Sequence, residues 1–331
     1  MIIMLNTKHV TTSAPGKTIL FGEHAVVYGK PAIAAAVDRR VYVKIEKRED
    51  NRTHVNVEEL RVSGFLNLER GLIEFDNGEY EKKNILEYVL KSLIKTNTKD
   101  GLEVTINIDI PIGAGLGSSA AVTVATILSS SIYNNINLTR DEIAKQAHQV
   151  ELEVQGAASP IDTTLSTHGG VIYLSKDAEE IITLDINTEI PIIIGYTSKR
   201  GNTGKLVETV KLKVEKYPQI MNPILNSMES ITNHAREALV NGDQQKIGEL
   251  MNINHGLLDS LGVNTEELSK MVYFARKTGA LGSKITGAGG GGSIIAYCPG
   301  RVEEVISCIN KFENAFKINI SVEGVRLESK E

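Results

Sequence analysis

Two cysteines, Cys298 and Cys308, are all that the chain holds, and they form no spacing of metal-site type. That excludes a disulfide-stapled scaffold and a cysteine-ligated zinc domain, and it points to a reducing cytoplasm. No apolar stretch approaches the ~20 residues that a membrane helix needs, so no membrane partner is expected. The opening Met-Ile-Ile-Met-Leu is too short for the apolar core of a signal peptide, and Asn6 and Lys8 follow it. The Asn-x-Thr triplets at Asn51 and Asn137 are accordingly expected to stay unglycosylated. An excess of one charge is also lacking: 36 basic and 41 acidic residues are mixed along the chain, for a formal net charge of −5. No basic run stands out, which argues against nucleic acid as the partner. The Gly-x-x-x-x-Gly-Lys-Ser/Thr of P-loop ATPases is missing, as are the His-Arg-Asp and Asp-Phe-Gly of protein kinases.

What is present is glycine in an informative place. Residues 111 to 121 read Pro-Ile-Gly-Ala-Gly-Leu-Gly-Ser-Ser-Ala-Ala. Glycine at every second position removes Cβ atoms where a polyanion could press against backbone N–H groups. The strand-like Glu103 to Ile110 leads in, and the apolar run from Ala120 to Leu128 reads as a buried helix. A glycine-rich loop feeding a helix N-terminus is an anion site, because unpaired N–H groups and the positive end of the helix dipole converge there. A plain strand-to-helix turn needs fewer glycines and no paired hydroxyls. A second cluster, Gly287-Ala-Gly-Gly-Gly-Gly292, matches Gly-x-Gly-x-x-Gly literally. The strand-like Ser293 to Cys298 follows it, whereas a dinucleotide fingerprint must open a helix.

The length of 331 residues suits two domains. Strand patterns dominate the first hundred residues, with helical spacing from Asn84 to Lys95. A second helix follows the glycine loop, with Asp141 as its expected cap and Ile143, Ala147, Val150 and Val154 on one face. Gly169 and Gly170 precede a short strand over Val171 to Leu174, and Ser175 to Glu189 reads as charged and irregular. The division is expected at 1–185 and 186–331. The second part has a strand from Ile190 to Thr197, helices from Gly204 to Gly279, and a closing strand–strand–helix–strand order that suits an α+β layer. Its last strand is expected over Ile318 to Val322.

Three blocks together resemble the GHMP kinase superfamily: Ala14-Pro-Gly-Lys-Thr-Ile-Leu-Phe-Gly-Glu-His24, the loop from Pro111 to Ala121, and Lys284-Ile-Thr-Gly-Ala-Gly-Gly-Gly-Gly292. They stand in that superfamily's order across nearly the whole chain. The run from Lys17 to Ala32 is most similar to the members that phosphorylate mevalonate. Galactokinases share Gly-Glu-His but continue differently, and homoserine kinases usually lack it. The resemblance implies an α+β fold with an N-terminal domain like domain 2 of ribosomal protein S5 and a ferredoxin-like C-terminal domain. It implies ATP and Mg²⁺ as cofactors, mevalonate as the small-molecule substrate, and leaves a homodimer open. The rivals are a sibling kinase acting on phosphomevalonate, galactose or homoserine, and a catalytically silent ATP-binding regulator.

Phosphoryl transfer needs an anion cradle, a metal, charge stabilisation and an oriented alcohol. The resemblance gives the cradle to Pro111, Gly113, Ala114, Gly115, Leu116, Gly117, Ser118, Ser119 and Ala120. It favours Ser119 over Ser118 as a metal ligand, with Glu151 as the carboxylate that Mg²⁺ wants. Asp162 is implied as the group that takes or orients the hydroxyl proton. Lys17, placed near it, would keep that carboxylate ionised and offset phosphoryl charge. The superfamily's commoner pattern here is Pro-Ser-Gly-Ile/Val-Asp. This chain has Ser159-Pro160 and no glycine before Ile161, which leaves the loop's backbone shape open. Glu23 and His24 are implied in substrate positioning, as are Arg200 and Thr203 in a basic loop and Gly287 and Ala288 in the third block.

Overall fold

The computed structural model describes residues 9–77, 84–99, 101–111, 114–156, 158–186, 188–197 and 201–331. The first lobe opens with two long strands, β1 (His9–Phe21) and β2 (Ala32–Lys47), joined through a 3₁₀ turn at Ala25–Tyr28. Next come β3 (Thr53–Val57), β4 (Val62–Asn67), β5 (Leu72–Asn77), α1 (Asn84–Lys95) and β6 (Leu102–Ile108). Helices α2 (Ser118–Tyr133), α3 (Arg140–Gln155) and α4 (Pro160–His168) follow, then β7 (Val171–Leu174) and β8 (Ile181–Leu184). The second lobe holds β9 (Ile192–Tyr196), α5 (Thr203–Lys216), α6 (Pro218–Asn241), α7 (Gln244–Ser260) and α8 (Glu266–Thr278). It continues with β10 (Gly282–Thr286), β11 (Ser293–Tyr297), α9 (Val302–Ile309) and β12 (Asn314–Ile318), and the chain closes with β13 (Arg326–Lys330).

In the first sheet the order is β13-β1-β2-β6-β3-β4-β5, with β7 and β8 attached beside the start of β2. Alternation sets its inner face: Leu102, Val104, Ile106 and Ile108 of β6 are buried, as are Val55 and Val57 of β3. The apolar run after the glycine loop becomes α2, buried on nearly every side. Its interior hydroxyls are satisfied along the helix, with Thr126 and Ser130 each donating to the carbonyl four residues earlier at 2.7 Å. From β1, Thr12 donates to the Ala125 carbonyl at 2.8 Å and fixes α2 against the sheet. Helix α3 starts two residues earlier than the sequence suggests. Thr139 is its cap, forming a reciprocal box with Glu142, and Asp141 lies in the first turn.

The second sheet has order β10-β11-β9-β12, all antiparallel. With α5 to α8 between β9 and β10, and α9 between β11 and β12, this is a ferredoxin-like βαββαβ layer with extra helices. The closing strand expected over Ile318 to Val322 lies earlier in the chain, as β12. The residues after it do other work. Segment 319–325 runs back to the first lobe, where β13 pairs antiparallel with β1. The first sheet is therefore built from both chain ends, across the division expected at 185/186. The segment expected to be irregular up to Glu189 contributes β8, an edge strand paired only with β7.

That returning segment holds α4 in place. Val325 N–H donates to the Thr167 carbonyl, and Gly170 N–H to the Ser321 carbonyl. A Cβ on Gly169, whose φ is +78°, would lie 2.6 Å from the Gly324 nitrogen, so the two glycines allow a close backbone approach. Buried Arg40 pins the same segment, donating to the Gly324 carbonyl at 2.7 Å and the Glu323 carbonyl at 3.2 Å.

Candidate active site

A cleft of about 660 Å³ lies where the two lobes meet. One wall carries β1, the glycine loop and the starts of α2 and α4, and the other carries the third glycine block and the start of α5. The loop enters α2 through Gly117, which sits in the left-handed region (φ 69°, ψ 37°). No side chain caps this helix and no acidic residue occupies its first turn. The amides of Ser118, Ser119 and Ala120 therefore face the cleft end as donors, with the dipole behind them. A Cβ on Gly117 would come 2.9 Å from Cγ of Lys17, while one on Gly115 would point into open space. The first glycine makes room for the lysine, and the second leaves the room that a phosphate chain needs. Gly113 lies outside the described residues; Pro111, Leu116 and Ser118 line the cleft, and Ala114 and Ala120 are buried behind it.

Lys17 reaches this place because β1 is irregular there. Its pairing with β2 shifts register between Pro15 and Lys17, where Gly16 meets the glycine loop, and Lys17 N–H donates to the Leu116 carbonyl at 2.8 Å. The Lys17 ammonium stands 3.1 Å from Oδ1 of Asp162. Asp162 sits in the first turn of α4, which Ser159 caps and Pro160 starts, so the departure from the commoner superfamily pattern still yields a regular helix entry. Ser166, one turn on, donates to the Pro15 carbonyl at 2.9 Å and ties the aspartate's helix to the lysine's strand.

Ser119 donates to Oε1 of Glu151 at 3.1 Å. Glu151 projects from α3 into the interior, 3% exposed, and burial pushes its carboxyl up to about 7, with the negative charge of Asp162 adding to the rise. A hydroxyl and a carboxylate beside an anion cradle form a hard oxygen donor set, and a cation there would offset the cost of the ionised carboxylate. Among the described residues no three His, Cys, Asp or Glu side chains cluster as a metal cage.

His24 occupies the centre of a tight turn. Its φ of 59° and ψ of −45° are rare for a side-chain-bearing residue, and Ala25 N–H closes the three-residue ring onto the Glu23 carbonyl at 2.6 Å. Such backbone strain costs about 1–3 kcal/mol and persists only where neighbours enforce it. The ring Nε2 lies 2.9 Å from the Ala288 carbonyl of the third block. Burial holds the imidazole below its ordinary range despite that bond and the charge of Glu23, which favours the neutral ring. Glu23, expected at the substrate, is 1% exposed. Its carboxylate pairs with Lys284 and accepts from Asn254 Nδ2 at 3.4 Å. Lys284 opens the third block and Thr18 lies inside the first, but neither had a role legible in the sequence, and nothing singled out Asn254. A lysine in the buried strand Gly-Ser-Lys-Ile-Thr was the one available signal.

The third block is stitched to the first lobe. Thr286 donates to the Ile19 carbonyl at 2.9 Å and lies 3.2 Å from the Thr18 hydroxyl, and Ser293 donates to the Ala114 carbonyl at 2.7 Å. Gly287 and Ala288 line the cleft, as does Thr203 at the start of α5. Arg200 lies outside the described residues. The backbone of Gly201 passes so near Gly289 that a Cβ would meet its carbonyl oxygen at 2.2 Å. No helix among the described residues is long and apolar enough to cross a membrane.

Comparison with known proteins bears on the family and the fold. The model of the GHMP kinases N terminal domain matches residues 83–170, and that of the GHMP kinases C terminal matches residues 235–315. A mevalonate kinase of Thermococcus sibiricus is 46% identical, over 96% of this chain and 98% of its own. One from Methanothermobacter thermautotrophicus is 44% identical, over 95% and 99%. The crystal structure of the Methanococcus jannaschii mevalonate kinase superposes with a TM-score of 0.81 at 32% identity, covering 94% of this chain and 98% of that one.

Proposed function

Since the chain belongs to the GHMP kinase family, we propose that it transfers the γ-phosphoryl group of ATP to the C5 hydroxyl of mevalonate. The observation that carries this is the Lys17–Asp162 pair, 3.1 Å apart in the cleft that the uncapped start of α2 faces. The near full-length relatives supply the choice of alcohol.

Asp162 accepts the C5 hydroxyl proton as that oxygen bonds to the γ-phosphorus and the bond to the β-phosphate oxygen breaks. Lys17, 3.1 Å from Oδ1, holds the Asp162 carboxylate in place and offsets charge on the transferring group. The loop and helix amides hold the phosphate chain in line. Mg²⁺, held by Ser119 and Glu151, would neutralise phosphate charge. Neutral His24, with Gly287, Ala288, Thr203 and Arg200, orients the alcohol. The products are 5-phosphomevalonate and ADP. The division 1–185 and 186–331 remains our reading of the two domains, with β13 added to the first.

The test is ADP release with Mg²⁺·ATP and mevalonate, 5-phosphomevalonate, homoserine or galactose. Turnover of mevalonate alone, with phosphate on the C5 oxygen by phosphorus NMR, is the expected result. Turnover of a different alcohol moves the substrate contacts but not Asp162 or Lys17. ATP binding without turnover of any of them makes a silent regulator the better reading.

A further inference from the structure

Behind the cleft wall lies a second lysine–carboxylate pair that the transfer chemistry does not use. Lys284 lies at the middle of β10, the edge strand of the second sheet, and its side chain is fully buried. Its ammonium crosses the lobe boundary to Glu23 and also donates to the Ile285 carbonyl at 2.7 Å. The other Glu23 oxygen is taken by Asn254 of α7. Each carboxylate oxygen has a protein partner and Glu23 is 1% exposed, so the side chain is held by the protein with little of it open to an alcohol. What Glu23 does have is position: it precedes His24, and its carbonyl closes the strained turn on which His24 sits. The far end of the same turn is set by Gly22, whose φ is +96° and where a Cβ would lie 2.5 Å from the Pro31 carbonyl oxygen.

We propose that Lys284 is a positioning residue: by clamping Glu23 from the opposite lobe, it holds the His24 turn and aims the imidazole at the alcohol site beside Ala288. Two residues after Lys284 the same strand reaches Thr286, and the third glycine block begins. One side chain thus sets the spacing between the two structures that meet at the His24 ring. Glu23 acts through this clamp and not by contact with substrate.

This rests on the kinase reading above, and a double-mutant cycle on Glu23→Gln and Lys284→Met keeps the two apart. Wild-type turnover of the four alcohols decides the substrate first, and the cycle is then read on whichever alcohol reacts. Each folded variant is expected to raise KM for that alcohol about tenfold and leave KM for ATP within about twofold, with the double variant no worse than either single one. Lys284→Arg, which keeps a buried cation, is expected to recover part of the loss. If Lys284→Met does not fold, the uncharged double variant carries the same test. A wild-type KM for the alcohol in the folded Lys284→Met or double variant overturns the proposal. So does a Glu23→Gln effect that the lysine substitution does not share. Should no alcohol react, ring C–H NMR signals of His24 report directly: the clamp predicts that they shift in Lys284→Met, and unchanged signals overturn it.

Discussion

Two lysine–carboxylate pairs each have one member in the first block, Lys17 and Glu23, and they differ in accessibility. Lys17 and Asp162 leave the aspartate side chain 28% exposed to the cleft, while Lys284 and Glu23 are sealed at 0% and 1%. Both join segments far apart in the chain, and both would be drawn identically on a contact diagram. A partly exposed pair contributes little to stability, about 0–1 kcal/mol, and its carboxylate can still meet a substrate. A sealed pair has lost its water, so removing one partner strands a charge, at about 3–5 kcal/mol. On the proposed roles, accessibility, more than pairing, separates the group that does chemistry from the group that builds the place for it.

The sharpest way to break this contrast is Asp162→Asn. Without a base, kcat is expected to fall by about 10² to 10⁴, while the unfolding temperature and ATP affinity stay near wild type. Near wild-type turnover would move the proton-accepting role elsewhere. Lys284→Met should show the opposite profile, losing about 3–5 kcal/mol of stability by denaturant titration. The added Glu23→Gln substitution should return most of it by removing the stranded carboxylate. A double variant as unstable as the single one would mean that packing of the lysine stem, and not its charge, holds the lobes.

Glu151 gives a smaller effect with a defined sign. Its carboxyl is raised to about 7 from 4.5, chiefly by burial. A group whose folded pKa is raised stabilises when protonated, so its contribution is complete below pH ~4.5 and is lost as pH rises to ~7. In metal-free protein the loss is roughly 3 kcal/mol at most. Unfolding temperatures in a chelator at pH 5 and pH 8 are expected to drop more for wild type than for Glu151→Gln. Equal drops would show that the buried carboxylate does not carry the slope.

How much of this was legible beforehand follows from what kind of pattern each part leaves. The phosphate loop and α2 were readable because glycine spacing and an unbroken apolar run are local signals. Lys17, Asp162 and Glu151 were legible only through three blocks in order, since a lone lysine or acid has no distinctive neighbourhood. The cap of α3 was assigned to Asp141 although Thr139 and Glu142 form the reciprocal box, because an acid near a helix start satisfies both dipole and cap rules. The return of β13 and the clamp of Arg40 on Glu323 and Gly324 were invisible. They depend on pairing between the two chain ends, which no window of sequence contains. The role of Lys284 was illegible for the same reason: its partner stands 261 positions away.

The least disruptive test concerns the two adjacent serines. Ser119 donates to Glu151 at 3.1 Å and, one turn on, its carbonyl accepts from Thr123 at 2.9 Å, so its side chain is directed to the acid side of the cradle. Ser118 lies on the same cleft wall as the first residue of α2. Deleting one hydroxyl removes one polar contact, worth about 1 kcal/mol. On the proposed metal role, Ser119→Ala should therefore raise the Mg²⁺ concentration for half-maximal rate about fivefold while leaving KM for mevalonate unchanged. Ser118→Ala should shift that concentration less than about twofold, since its amide, the group proposed to meet phosphate, survives the substitution. The reverse ranking would transfer the ligand role to Ser118. It would also imply that the Ser119 hydroxyl serves to orient Glu151 in the absence of metal, which makes the carboxylate's place in the fold, and not the serine's, the fixed point of the site.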